Sequence, residues 1–196
     1  MNSNSRPNIT EALKARILVL DGAMGTAIQD KNLTSKDFGG IDLEGCNENL
    51  VLTRPDIISE IHEYYLKAGC DIVETNTFGG TPLVLDEYGL GSRAIEINRE
   101  AAILARKAAD KYSTKNQPRF VAGSIGPTTR AISVTGGVTF EELEKNFYTQ
   151  AQGLLEGGVD YFLIETCQDT RNIKAALFGI EKLLKETQKN IPVAIS

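Results

Sequence analysis

Three carboxylates stand where predicted strands end, and they are the first candidates for chemistry. Asp21 follows the apolar run Arg-Ile-Leu-Val-Leu, Glu74 follows Asp-Ile-Val, and Glu165 follows Asp-Tyr-Phe-Leu-Ile. A carboxylate beside a buried strand costs free energy unless it is paired or used. Such groups either transfer protons or bind a cation. We therefore expect Asp21, Glu74 and Glu165 to belong to one functional site.

Glycine-rich turns adjoin these carboxylates. Gly22 and Gly25 follow Asp21, and Gly126 lies in the segment after the third predicted strand. Backbone amides freed by Gly22 and Gly25 could hold an anion such as a carboxylate. A tight turn without any ligand explains the same glycines, and the residues leave both interpretations open.

Other nucleophiles and metal ligands are few. His62 is the single histidine, which weakens Ser-His-Asp and Cys-His mechanisms, and we expect it on a surface or half-buried helix position. Cys46, Cys70 and Cys167 have neither C-x-x-C spacing nor a second histidine beside them, so they predict no metal site. We expect Cys167 to be a small buried hydrophobic residue.

Alternating strands and helices must position these groups. Apolar runs, turn residues and capping signals predict strands at residues 16–20, 71–77, 119–123, 160–165 and 192–196, and helices at residues 55–68, 93–111, 139–156 and 170–187. Residues 30–53 show no periodicity and are predicted to form a long loop. Strand-helix alternation predicts an α/β fold with a parallel sheet, whose active site lies at the carboxyl ends of the strands.

An internal repeat supports this arrangement. A glycine, one residue and an aspartate precede a strand twice, at Gly69 to Asp71 and at Gly158 to Asp160. Glu74 and Glu165 follow three and five residues after these aspartates. The two glutamates therefore share strand parity and are predicted to face the same way.

Composition limits the partners and the compartment. The chain has 196 residues, 41% hydrophobic and 24% charged residues, and a net charge of −5, so we expect no nucleic-acid partner. No apolar stretch approaches the roughly 20 residues that span a membrane, and residues 1–8 are too polar for a signal peptide. Three widely spaced cysteines favour a reducing, cytoplasmic location over a disulfide framework.

Four ordered segments resemble the homocysteine S-methyltransferase superfamily. They read ILVLDGAMGT, NLVLTRPDIISEIHEYYLKAGCDIVETNTFGGT, FVAGSIGPTTR and EGGVDYFLIETCQDTRNIKAAL. The resemblance runs from about residue 16 to residue 196. Within the superfamily, residues 49–77 are most similar to the homocysteine-binding domain of cobalamin-dependent methionine synthases.

The resemblance implies a (β/α)8 TIM barrel, of which we predict only about the first five β/α units. Residues 1–15 are expected to be an N-terminal tail and residues 16–196 a partial homocysteine-binding barrel domain. A closed barrel of this type takes about 250 residues. We therefore expect an N-terminal piece of a longer enzyme that is inactive alone.

The resemblance also implies the reaction. Homocysteine, bound to zinc as a thiolate, takes the methyl group of methylcobalamin to give methionine, and 5-methyltetrahydrofolate recharges the cobalamin. The family's zinc-binding cysteines lie at strands six and eight, so Cys167 on strand four is not expected to be a ligand. Zinc ligands are expected downstream, and the folate and cobalamin domains are expected on the same longer chain.

Substrate-binding positions carry over from the family residue by residue. Asp21 and Glu165 match the positions that hold the homocysteine amino group, and two carboxylates suit a desolvated ammonium. Other matched positions line the substrate carboxylate or the rim, namely Gly22, Ala23, Ser124, Asn76, Thr77 and Phe78.

Other functions remain open at this point. One is a stand-alone homocysteine S-methyltransferase that uses betaine or S-methylmethionine. A second is a barrel aldolase or hydrolase that uses the carboxylates for acid/base chemistry, although no lysine stands at a predicted strand end. The third is a non-catalytic binding module that associates through an open sheet edge.

Overall fold

A single parallel sheet organises the protein. The computed structural model describes residues 8–196, so the expectations for residues 1–7 lie outside the described part. The longer helices are α1 (Ile9–Ala15), α5 (Pro55–Ala68), α7 (Ala94–Tyr112), α8 (Phe140–Gly157) and α9 (Thr170–Thr187). Short helices are α2 (Met24–Gln29), α3 (Ser35–Phe38), α4 (Leu50–Thr53) and α6 (Pro82–Leu85). The strands are β1 (Ile72–Glu74), β2 (Phe120–Ile125), β3 (Tyr161–Ile164) and β4 (Val193–Ile195), paired in the order β1-β2-β3-β4.

The two faces of the sheet carry separate cores. Val73, Val121 and Phe162 point to the outer face, where they pack with residues of α5, α7, α8 and α9. Alternate residues point to the inner face, where Ile72, Phe120, Ala122, Tyr161 and Leu163 form a second cluster. Both faces of the central strands are buried, which is typical of parallel sheets. The predicted α/β fold with a parallel sheet is therefore confirmed.

The predicted first strand is wrong in its burial and in most of its extent. Residues 17–20 lie along β1, and the carbonyl of Val19 accepts hydrogen bonds from Asp71 and Ile72, but only Leu20 forms a β-bridge. Ile17 is 90% exposed and Val19 is 58% exposed. This segment has a neighbouring strand on one side only within residues 8–196. An apolar run in the sequence predicts a buried strand, but it does not show whether a second strand flanks that segment in the sheet.

The predicted loop at residues 30–53 is instead largely helical. It contains α3, α4 and two 3₁₀ turns, Ile41–Leu43 and Asn47–Asn49. Phe38, Cys46 and Leu50 from this segment are buried in one cluster with α5 and α7. Elements of three or four residues are too short to show helical periodicity, so the pattern missed them.

Part of the predicted N-terminal tail, residues 1–15, is helical. From Asn8 onward the chain forms α1, which Asn8 caps by accepting a hydrogen bond from Thr10 at 2.9 Å. Ile9 is buried against the inner-face cluster. Ala12 packs against the same cluster, and the polar residues around these two positions hid the apolar contact from the sequence pattern.

Local signals define the main helices well. Pro55 opens α5, and Gly69 ends it with φ 113°, a left-handed conformation that favours glycine. Thr139 and Glu142 form the expected capping box at the start of α8. The α9 helix has the predicted bounds. None of the helices in residues 8–196 is both long and apolar enough to cross a bilayer.

Glycines bring the outer helices into backbone contact. A Cβ on Gly153 would come within 2.6 Å of the Ile95 carbonyl on α7, and one on Gly157 within 2.4 Å of the Ala102 side chain. A Cβ on Gly179 would meet the Glu144 carbonyl of α8 at 2.5 Å. Any larger side chain at these positions would force α7, α8 and α9 apart.

The repeated aspartates fasten the beginnings of the strands. Both carboxylate oxygens of Asp71 accept 2.7 Å hydrogen bonds from Arg16, and one also accepts the Val19 N–H at 2.9 Å. Asp160 likewise accepts from Arg106 at 2.6 Å and from the Val121 N–H at 2.7 Å. Each of these strand-start carboxylates, Asp71 and Asp160, thus accepts hydrogen bonds from an arginine and from the backbone of the preceding neighbour in the sheet. Asp71 also forms an ion pair with the buried Arg119 at 3.6 Å.

Candidate functional site

A cleft of about 320 Å³ opens on the inner face at the carboxyl ends of the strands. The structure brings all eight predicted site residues into its lining, together with Glu74. The lining consists of Asp21, Gly22, Ala23, Met24, Gly25, Asn47, Glu48, Glu74, Thr75, Asn76, Thr77, Phe78, Ser124 and Glu165. Sequence reasoning named those eight residues and Glu74 as candidates, and their roles stay predictions.

Strand register places the cleft's polar groups on one side. Glu74 follows Ile72 on β1 by two residues, and Ser124 follows Ala122 on β2 in the same way. Glu165 comes two residues after Leu163 on the inner face of β3. Because side chains alternate along a strand, all three polar groups point inward. The shared orientation of Glu74 and Glu165 is confirmed.

Asp21, Glu74 and Glu165, the strand-end carboxylates, meet no protein cation. Asp21 accepts the Glu74 N–H at 3.1 Å on each oxygen, and Glu165 accepts a short hydrogen bond from the Ser124 hydroxyl. Within residues 8–196, none of the three forms an ion pair with lysine, arginine or histidine. The cleft therefore concentrates negative charge that protein side chains leave uncompensated.

Burial and repulsion from neighbouring carboxylates hold protons on Asp21 and Glu74. Burial, followed by the charge of Glu74, raises the pKa of Asp21 to about 8. Burial and the charge of Glu165 raise the pKa of Glu74 to about 7. Burial, with help from the same three carboxylates, also raises the pKa of the Tyr161 phenol. A cation entering the cleft would reverse these shifts, because it would favour the ionised carboxylates.

The opposite wall comes from the segment predicted as a loop. The Asn76 side chain donates to the Asn47 carbonyl at 2.7 Å, and the Gly79 N–H donates to Glu48 at 2.7 Å. Burial raises the pKa of Glu48. Sequence reasoning missed Asn47 and Glu48, because residues 30–53 offered no periodicity that would place them near a strand end.

A buried polar network supports the floor of the cleft. The Thr75 hydroxyl accepts the Ser124 N–H at 3.0 Å and lies 2.6 Å from the Thr77 hydroxyl. Thr77 donates to the Ser124 carbonyl at 2.7 Å, and Gln150 of α8 donates to the Thr77 carbonyl at 2.7 Å. These bonds fix Ser124, the partner of Glu165, relative to the outer helices.

Phe78 forms part of the rim and lies directly on Gly126. The Gly126 N–H donates to the Phe78 carbonyl at 3.0 Å, and a Cβ on Gly126 would meet that oxygen at 2.7 Å. Phe78 is 44% exposed, and it lines the cleft. Glycine at position 126 is therefore needed for this part of the rim.

The first turn of α2 borders the cleft through Ala23, Met24 and Gly25. No side chain caps this turn, and the first backbone N–H groups of a helix have no intrahelical partner. The amides lie along the same cleft as the strand-end carboxylates. Donors for an anion and acceptors for a cation thus line one cavity.

The lining of the cleft contains neither His62 nor any of the three cysteines. His62 is wholly buried, which contradicts the predicted surface or half-buried position, and burial lowers its pKa to about 4. Cys167 packs against the outer-face core but is only partly buried, so its predicted role as a small buried hydrophobic residue is met in part, whereas Cys46 and Cys70 are buried. All three are free thiols. The described residues contain no group of three or more histidine, cysteine or acidic side chains placed to hold a metal.

Comparison with known proteins identifies the family. Residues 18–196 match the family described as homocysteine S-methyltransferase. The chain belongs to this family. It is also 41% identical, over 189 residues, to a methionine synthase of Mycobacterium leprae (strain TN), covering 96% of this chain but 15% of that protein.

Solved structures support the fold of this homocysteine S-methyltransferase family member. The metallated form of the homocysteine methyltransferase MmuM from Escherichia coli superposes with a TM-score of 0.74 at 22% identity. The oxidized form of MmuM gives a TM-score of 0.74 at 24% identity. Each superposition covers 64% of the MmuM chain and 94% or 95% of this one. The chain therefore spans less than two thirds of these relatives.

Proposed function

We propose that this chain is the homocysteine-binding part of a methionine synthase, built as part of a (β/α)8 barrel. The observation that carries the proposal is a cleft lined by the three strand-end carboxylates and by Glu48, with no lysine, arginine or histidine in its lining, in a member of the homocysteine S-methyltransferase family. An amino acid supplies the ammonium that such a cluster lacks. The 41% identity to a methionine synthase favours this type of methyltransferase within the family.

The geometry suits both charged ends of homocysteine. Asp21 and Glu165 would hold the ammonium, because their oxygens line the cleft and face no other cation. The amides of Gly22, Ala23 and the first turn of α2 would hold the carboxylate, since donors at a helix start favour an anion. Asn76, Thr77 and Phe78 would line the rim beside the side chain that carries the thiol.

These contacts orient the substrate rather than activate it. Two-point binding of the ammonium and carboxylate would fix the direction in which the thiol leaves the cleft, and fixed orientation lowers the barrier for methyl transfer. No residue of the described lining is assigned as a general base for the thiol. The chain's own contribution is binding, positioning and exclusion of water.

Zinc does not fit the residues that the structure describes. Cys46 and Cys70 are buried, and Cys167 is not within a group of three ligands that could hold a metal among residues 8–196. Zinc prefers cysteine and histidine ligands in a tetrahedral set. If a zinc ion binds the substrate thiol, its ligands lie outside these residues.

The methyl donor is the finer part of the proposal. We assign methylcobalamin, recharged by 5-methyltetrahydrofolate, with both bound by other domains of the same protein. The similarity to a methionine synthase supports this assignment over a stand-alone enzyme that uses betaine or S-methylmethionine, and over a non-catalytic module. Three free cysteines are consistent with a cytoplasmic location.

Calorimetry of homocysteine binding to the full-length protein tests the proposal. We expect Asp21→Asn and Glu165→Gln each to weaken binding at least about tenfold, because each removes a charged partner of the ammonium. Glu181→Gln, an exposed charge change on α9, is the matched control and should bind normally. Unchanged affinity in both cleft variants would exclude this binding mode.

A further inference from the structure

Glu74 differs from the other two strand-end carboxylates in its hydrogen bonding. Asp21 accepts a backbone N–H, and Glu165 accepts the Ser124 hydroxyl. The Glu74 side chain receives no hydrogen bond from any residue in the described chain, although it lines the same cleft. Nothing in the fold therefore requires a carboxylate at position 74. A ligand is the remaining group that could pair with it.

The groups that face Glu74 share its charge type. Asp21 lies on the segment before α2, Glu165 follows β3, and Tyr161 lies on the inner face of β3. The β2 neighbour is neutral, because Glu74 is in register with Ala122. No lysine, arginine or histidine of residues 8–196 forms an ion pair with Glu74. The local field therefore opposes a third negative charge until a cation arrives.

We propose that Glu74 is a specificity-determining residue of the cleft. It supplies a third carboxylate for the ligand's ammonium group, and the Asp21–Glu74 pair gives up a proton to solvent when that group binds. This inference rests on the proposed function, because it takes the ligand to be an amino acid. It makes the cleft selective for a ligand that carries a positive charge beside its carboxylate.

The proton balance follows from the electrostatics. The pKa of Asp21 is raised to about 8 and that of Glu74 to about 7, so the empty cleft holds protons at neutral pH. An ammonium stabilises the ionised carboxylates and lowers both values. Because the two groups interact, the released proton belongs to the pair rather than to either residue. A ligand without the ammonium would bind with these protons still in place.

The test compares two ligands and three forms of the full-length protein. Homocysteine and 4-mercaptobutanoate, which lacks the amino group, are titrated calorimetrically into the unmodified protein, Glu74→Gln and the control Glu181→Gln. Measurements in two buffers of different ionisation enthalpy give the number of protons released. Circular dichroism establishes that each variant is folded.

We expect the unmodified protein and Glu181→Gln to prefer homocysteine and, at pH 7, to release about one proton more with homocysteine than with 4-mercaptobutanoate, which carries the same thiol. Glu74→Gln should bind homocysteine about tenfold more weakly, bind 4-mercaptobutanoate no more weakly, and release fewer protons. The preference for the amino group should therefore shrink about tenfold. Glutamine matches the shape of glutamate, so packing alone would not produce this ligand-dependent change.

The outcomes separate this inference from the proposed function. If the unmodified protein binds no homocysteine, the proposed function fails and this inference fails with it. If it binds homocysteine but Glu74→Gln shows the same affinity ratio and proton release, only the role of Glu74 is overturned. If the variant does not fold, the unmodified protein decides. Equal proton release with homocysteine and 4-mercaptobutanoate between pH 6 and 8 would overturn the inference.

Discussion

The same strands carry acidic side chains at both ends, and the two groups differ in their partners. The strand-start carboxylates, Asp71 and Asp160, each bind an arginine and a backbone N–H. The strand-end carboxylates, Asp21, Glu74 and Glu165, bind no arginine or lysine among residues 8–196. A hydrogen bond from Arg16 is the largest influence lowering the pKa of Asp71, whereas burial raises that of Asp21. Compensated acids thus stabilise the fold, and uncompensated acids are available to a ligand.

The largest expected effect comes from removing a strand-start carboxylate. Asp71→Ala should lower the free energy of unfolding by about 3–5 kcal/mol, because it leaves Arg119 buried without its carboxylate partner and frees the Val19 N–H. Urea denaturation measures the change. Asp42→Ala, at an exposed position, should alter stability by less than about 0.5 kcal/mol. A loss no greater than that of the control would remove the structural role of Asp71.

The second test concerns the strand-end carboxylates, which we expect to destabilise the unliganded protein when they ionise. In the unliganded protein, the raised pKa values mean that the native state binds more protons than the unfolded chain from about pH 4 to about pH 8. Stability should therefore fall as the pH rises from 6.5 to 8.5, by an amount on the order of 1 kcal/mol. Urea midpoints at several pH values measure the slope.

Asp21→Asn sharpens that test. Removing one of the repelling acids should flatten the slope and leave the unliganded protein at least as stable at pH 8.5. If this variant were as destabilised as Asp71→Ala, the proposed difference between strand-start and strand-end carboxylates would be wrong. Saturating homocysteine should also flatten the slope in the unmodified protein, because the ammonium compensates the ionised carboxylates.

The smallest expected effect comes from His62, a third kind of buried titratable group. It has neither a charged partner nor a hydrogen bond to either ring nitrogen within the described chain. Its pKa is lowered to about 4, so its contribution to stability is lost as the pH falls from about 6.5 toward 4. His62→Leu should change stability at pH 7 by about 1 kcal/mol or less and reduce the acid sensitivity. Thermal melts at pH 4.5 and pH 7 measure both effects, and an undiminished acid sensitivity would contradict the prediction.

Much of this arrangement was predictable from sequence because local signals repeat. Thr139 and Glu142 define the start of α8, and strand parity orients Glu74 and Glu165 without any tertiary information. The eight residues suggested by family resemblance all line the cleft. Helix caps and strand parity depend on residues only a few positions apart, so they can be recognised in the sequence alone.

What was missed depends on long-range packing. The burial of His62 arises because α5 packs against α2, α4 and α7 as well as the sheet, and two of these helices lie in or beside the segment expected to be a loop. Glu48 joins the cleft because Gly79, 31 residues later, donates to it. The exposure of Val19 depends on which strands flank it. These three features depend on contacts between residues far apart in the sequence, so no periodic pattern within one segment predicts them.

The close contacts at Gly153, Gly157 and Gly179 have a consequence for evolution. Even alanine would clash with the backbone or a packed side chain of the neighbouring helix at each position. Substitution of these three glycines is therefore strongly disfavoured. We expect relatives that keep this helix layer to retain glycine there, although none of the three lines the cleft. Invariant glycines at these positions would reflect helix packing rather than ligand binding. A search for the active site that used invariance alone would therefore select residues of the outer helices, away from the cleft.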